Sequence, residues 1–168
     1  MKKHWLPFLL AFLFPLILIF WWWGGFSSAS FEEAERGPYR YAYLTQQGDY
    51  YKLPEKQQEV LSRLQAQGVK PGTPVTLLLN DPRTTPKRQW SAQTGYLLEP
   101  QAQVAEPLAI GEVPARRVLL VKVKAQPLLA PGKAYAALLE YLEEHGLKLN
   151  LPTVELYQDG VLSVEMSR

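Results

Sequence analysis

The sequence contains no cysteine and only two histidines, His4 and His145, which lie far apart. Without a thiol there is no disulfide, no lipid anchor on a cysteine, no thiolate nucleophile and no cysteine-ligated zinc. Two distant histidines leave almost no material for a histidine metal site or a histidine-based triad, so neither a metal nor a cofactor is expected and no catalytic residue is singled out. Net charge is scarce as well. The 18 Lys plus Arg against 16 Asp plus Glu give +2, and setting aside Lys2 and Lys3 leaves 16 of each sign. A balanced chain of this kind argues against a phosphate-tracking surface, and no nucleic-acid partner is expected.

The aromatic residues are segregated. Four of five Trp and five of six Phe fall within the first 26 residues, whereas all nine Tyr lie between Tyr39 and Tyr157. Trp5 to Trp23 is an apolar run of 19 residues whose only polar side-chain atoms are indole nitrogens, roughly 28 Å as a helix. Pro7 and Pro15 are tolerated in membrane spans, and Trp21 to Trp23 occupy the place of an interfacial aromatic belt. These features predict an N-terminal transmembrane signal anchor over residues 1–26 and a linker over 27–37, with one domain over 38–168. Lys2 and Lys3 before the run and Glu32, Glu33 and Glu35 after it place the N-terminus in the cytoplasm. The expected location is thus the cell membrane, with the domain on its periplasmic or extracellular side. A cleavable signal peptide ending near Ser27-Ser28-Ala29 is the rival, and it exports the domain equally.

Sliding the domain against itself by 78 residues matches Pro54–Asp81 to Gly132–Asp159, with seven of 28 positions identical. The identities include Leu61/Leu139, Leu64/Leu142, Gly68/Gly146, Pro74/Pro152 and Asp81/Asp159. In each copy apolar residues at helical spacing end at a capping glycine, Gly68 or Gly146. Strands are expected at Tyr39–Thr45, Val75–Leu79 and Trp90–Leu98, and again at Arg117–Lys124, Thr153–Tyr157 and Val161–Met166. The predicted fold is therefore α+β: a duplicated strand-helix-strand-strand module (residues 38–99 and 115–168), in which a helix covers one face of each half-sheet, preceded by one transmembrane helix.

Three landmarks accompany the duplication: Gln47-Gly48-Asp49-Tyr50, Asn80-Asp81-Pro82, and Pro152-Thr153-Val154-Glu155-Leu156-Tyr157. In this order the chain from about residue 36 to 168 resembles GyrI-like small-molecule-binding domains, the effector-binding domains of multidrug-sensing regulators. The resemblance implies two modules around a pseudo-twofold axis, with a cleft between them that takes amphipathic, often cationic, small molecules. The chain departs from that pattern at Gln126-Pro127-Leu128, where a second Gly-Pro-Tyr is common.

Side chains alternate across a strand, so if Val154 and Leu156 face the covering helix, Thr153, Glu155 and Tyr157 face away from it. The ungapped repeat sets Leu77 against Glu155, so one copy carries a carboxylate where the other is apolar. A lone carboxylate among tyrosines is costly to keep ionised, and an arriving organic cation relieves that cost. The candidate ligand-binding residues are Glu155, Tyr157, Tyr41, Tyr43, Trp90 and Tyr96. The plainer alternatives are a solvated Glu155, or one paired with Arg88 or Arg117, and tyrosines packed across strands. His145 is read as meeting helix C-terminal carbonyls, and Asn80-Asp81-Pro82 as a turn. The expected function is binding of a small amphipathic molecule by a membrane-anchored domain. Two other classes remain open: a small hydrolase with Glu155 as general acid or base, and a non-catalytic membrane-tethered scaffold.

Overall fold

The computed structural model describes residues 5–168. Two amphipathic helices, α2 (Leu53–Ala66) and α3 (Ala130–Glu144), each begin with a proline in the first turn, where its missing N–H breaks no helical bond. Each ends at the expected glycine: Gly68 and Gly146 have φ of +68° and +64°. The Val69 N–H donates to the Leu64 carbonyl at 2.9 Å and the Leu147 N–H to the Leu142 carbonyl at 2.8 Å. These bonds satisfy carbonyls that the helix end leaves open.

Eight strands form a single sheet: β1 (Ala29–Arg36), β2 (Tyr39–Gln47), β3 (Pro74–Leu78), β4 (Ser91–Leu97), β5 (Ala109–Val113), β6 (Arg116–Lys124), β7 (Thr153–Gln158) and β8 (Val161–Ser167). Their order is β1-β6-β8-β7-β3-β4-β2-β5, and every pairing is antiparallel. The segments expected as two modules, residues 38–99 and 115–168, meet at the β3–β7 pair.

The expected architecture, a duplicated module about a pseudo-twofold axis behind a membrane helix, is corrected. The protein is a mixed α+β fold in which one large antiparallel sheet is accompanied by three helices. Two strands were not expected. β1 occupies the segment read as a linker, because its Glu-rich sequence lacks the β-branched signature of a strand. Pairing supplies what propensity does not: Glu32 bonds Lys122 at 2.6 Å, and Phe31 stacks on Tyr141 with ring centroids 4.8 Å apart. His145 also stacks on Tyr141, with ring centroids 4.0 Å apart, and its Nδ1 lies 2.8 Å from the Tyr141 carbonyl oxygen, as expected at a helix end.

The transmembrane helix is corrected too. Helix α1 runs Trp5–Trp22, and no helix among the described residues is long and apolar enough to cross a membrane. After Trp22 the chain leaves the helix for a turn through Trp23, Gly24 and Gly25. The expected signal anchor and the bilayer as a partner therefore find no support among the described residues. Lys2 and Lys3, which set the expected orientation, lie outside the described residues.

Both faces of the sheet carry a core. On one, α2 buries Val60 and Leu64 against Ala42 and Leu108, while α3 buries Ala134, Leu138 and Leu142 against Leu119, Val121, Val123 and Val164. On the other, Tyr41, Val75, Leu77, Val113 and Val154 pack together. Glu165, 1% exposed, is held there by the Tyr39 hydroxyl at 2.7 Å and by Arg116 at 3.0 Å. Helix α2 lies over β2 and β4, and α3 over β6 and β8. The central β3–β7 pair is thereby left as the floor of a gap between the helices.

Candidate functional site

That gap is a cavity of about 500 Å³. Its floor is Thr76 and Leu78 of β3 with Thr153, Glu155 and Tyr157 of β7, and its walls include Tyr50, Leu53 and Gln57 on one side and Pro131, Tyr135 and Leu139 on the other. The surface is mostly apolar, the composition usual for small-molecule sites.

Alternation along β7 puts Glu155 on the floor. The helices cover its face, and Val154 and Leu156 belong to the core on the opposite side, the reverse of the arrangement considered from the sequence. The Leu77–Glu155 equivalence also fails: Leu77 pairs with Val154 and points away, whereas Thr76 is the cross-strand partner of Glu155. A one-residue offset in a strand reverses every side chain, so an ungapped repeat cannot fix the face.

Glu155 has no ion pair among the described residues. Burial pushes its carboxyl up to about 7, and a hydrogen bond with Tyr135 opposes the shift. The Tyr135 hydroxyl also lies 2.6 Å from Thr153 Oγ1. With Thr153 donating to Tyr135, the phenol proton is free to point at the carboxylate. Desolvation and the negative field of Glu155 hold Tyr135 well above the ordinary phenol range. Tyr50 is raised chiefly by burial, and its hydroxyl donates to the Ser91 carbonyl at 3.1 Å. The second lining carboxylate, Asp81, is neutralised: Arg83 contacts it at 2.6 Å and holds its pKa below the usual range. The cavity thus has one uncompensated acid, Glu155. Substituting Tyr135→Phe removes the bond that opposes the shift, so the Glu155 titration midpoint is expected to move above about 7. A carboxyl-detected NMR titration reads this directly, and an unmoved midpoint contradicts the wiring.

The six candidate residues separate. Glu155 and Tyr157 line the cavity. Trp90 stands one layer behind, its ring centroid 5.0 Å from that of Tyr50 and its indole N–H on the Thr85 carbonyl at 2.8 Å. Tyr96 packs beside Val60 and Leu64 under α2. Tyr41 and Tyr43 do share a face, but it is the opposite one, where the Tyr41 hydroxyl donates to Gln93 at 2.6 Å. Tyr135 and Tyr50 were missed as lining residues. Tyr135 stands three and seven residues before Leu138 and Leu142, on the apolar stripe of α3, a spacing that marks it as inward-facing. Asn80, Asp81 and Pro82, read only as a turn, form part of the rim.

Among the described residues no group of three or more His, Cys, Asp or Glu is placed to hold a metal ion. No curated protein matches the chain. Among solved structures, the EcmrR C-terminal domain superposes with a TM-score of 0.60 at 15% identity, over 84% of this chain and 96% of that one. The EcmrR chain in its DNA complex with RPo gives 0.62 at 14% identity, and the match spans 84% of this chain but only 57% of that one. SAV2435, solved bound to tetraphenylphosphonium, gives 0.58 at 11% identity over 82% of this chain and 93% of that one. At these identities the likeness establishes the fold. The profile of the GyrI-like small molecule binding domain matches residues 30–163, nearly the whole sheet and both covering helices; the chain belongs to the GyrI-like family of small-molecule-binding domains.

Proposed function

We propose that the cavity binds small lipophilic organic cations, with Glu155 as the counter-charge and the surrounding apolar and aromatic groups as the shape-selective wall. The observation that carries this reading is the lone uncompensated carboxyl of Glu155 on an apolar floor. Keeping that group ionised without a partner is costly, and a desolvated organic cation removes the cost without needing a directional hydrogen bond. The rings of Tyr50, Tyr135 and Tyr157 add faces that attract a cation. The tetraphenylphosphonium held by SAV2435, a protein of the same fold, supports this ligand chemistry.

Calorimetric titration of the full chain with tetraphenylphosphonium and with neutral triphenylphosphine oxide tests the proposal. The cation is expected to bind with a roughly micromolar Kd, and the neutral compound at least about tenfold more weakly. Recovery of unchanged cation separates binding from turnover. Equal affinities would remove the electrostatic basis of the proposal.

A further inference from the structure

The cavity has a neighbour. A second concavity of about 460 Å³ lies where the end of α1 meets the junction of β6 and α3, walled by Trp21, Trp22, Trp23 and Phe26 on one side and by Lys124, Ala125 and Gly160 on the other. Tyr157 lines both spaces. Its hydroxyl donates to the Ala125 carbonyl at 2.9 Å, which holds the ring at their common border.

The tryptophan wall is held in place by specific contacts. The Lys133 ammonium of α3 donates to the Gly24 carbonyl at 2.9 Å and also to that of Gly25, just beyond the C-terminus of α1. The Gln126 N–H donates to the Trp23 carbonyl at 3.0 Å. Gly24 has a φ of +80°, and a Cβ there would lie 2.6 Å from the Lys124 carbonyl oxygen, so the approach requires glycine. The aromatic side chains remain accessible, Trp21 66% and Trp22 82% exposed.

We infer that this concavity is a second compartment of the ligand site, taking the uncharged aryl end of an elongated cation whose charged end sits at Glu155. The inference rests on the reading of Glu155 as counter-charge. Charge sets the polarity: the second compartment has Lys124 and no carboxylate, so it disfavours a cation and suits a neutral ring. Geometry sets the reach. Glu155 and Tyr157 are two residues apart on one strand face, roughly 7 Å, so the ring must be tethered by a spacer at least that long. The occupant is a small molecule of this kind because Tyr157 borders both spaces and Trp21 to Trp23 offer faces for stacking.

The test uses the full chain and two probes: compact benzyltrimethylammonium, and a trimethylammonium carrying a biphenyl on a six-carbon chain. In the double variant Trp21→Ala, Trp22→Ala the elongated probe is expected to lose about tenfold in affinity, with the compact probe unchanged. Both tryptophans are largely exposed, so the domain's core is untouched. Equal loss for both probes, or loss for neither while Glu155→Gln still weakens both, overturns the second compartment. If Glu155→Gln leaves both probes unaffected while the tryptophan variant still weakens the elongated one, the aryl compartment stands and the counter-charge reading fails.

Discussion

Replacing Glu155 by Gln is expected to weaken tetraphenylphosphonium binding by roughly 100-fold or more while the domain stays folded. Removing one member of a desolvated charge pair typically costs about 2–5 kcal/mol, because the remaining charge is left buried without a partner. Here the remaining charge is the ligand's. No neighbouring acid takes over, since Asp81 is bound to Arg83. The amide keeps the shape of the floor and an oxygen that can accept from Tyr135, so cavity geometry and neutral-ligand affinity change little. The free domain should gain stability at alkaline pH, because the substitution removes a carboxylate that burial disfavours. Calorimetry and thermal unfolding of both proteins at pH 8 measure the two effects. A variant that binds the cation as tightly as the parent protein would show that Glu155 is not the counter-charge.

The second large effect is on pH dependence. In the unliganded folded domain the Glu155 carboxyl titrates near 7 instead of its ordinary 4.5, raised by burial and partly opposed by Tyr135. A permanent cation binds the ionised form. Its affinity is expected to rise about tenfold per pH unit well below 7 and to flatten above, roughly 50-fold between pH 5 and 7. The stability of the free domain moves the other way. A raised folded-state carboxyl favours the folded state below the unfolded pKa of about 4.5, and that contribution is lost as pH rises through 7. The loss is on the order of 3 kcal/mol. Asp81 is held down by Arg83, and Tyr50 and Tyr135 are pushed up, so none of these lining groups titrates in the same window. Thermal unfolding from pH 5 to 8, with and without saturating cation, should show the melting temperature of the free domain falling across the window. The shift produced by the cation should grow in parallel.

Much of the fold was legible because its signals are local. The glycines at positions 68 and 146, the leucine spacing before them and the β-rich runs placed α2, α3 and six strands within a few residues of their ends. β1 and β5 were not legible, because edge strands draw their stability from pairing: β1 is stapled to β6 by Glu32 and Lys122 and padded by Phe31 on Tyr141. Of the lining of the candidate cavity, the acid and one ring were legible. Period-two alternation correctly grouped Tyr41 with Tyr43 and Glu155 with Tyr157, but alternation does not say which group faces the helices. That is settled by tertiary packing, here by α2 and α3 both lying on the Glu155 face. The apolar run at the N-terminus illustrates a different limit: composition alone pointed to a membrane span, whereas the helix stops at Trp22 and its end is tied to α3 through Lys133.

The most direct test of the central claim is the number of protons released when tetraphenylphosphonium binds. It is measured by calorimetry at pH 6.5 in two buffers of different ionisation enthalpy. With a Glu155 carboxyl near 7 in the free domain, about three quarters of a proton should leave per cation bound, and Glu155→Gln should release none. Binding without proton release would contradict the claim that the cation takes its place beside an ionised Glu155.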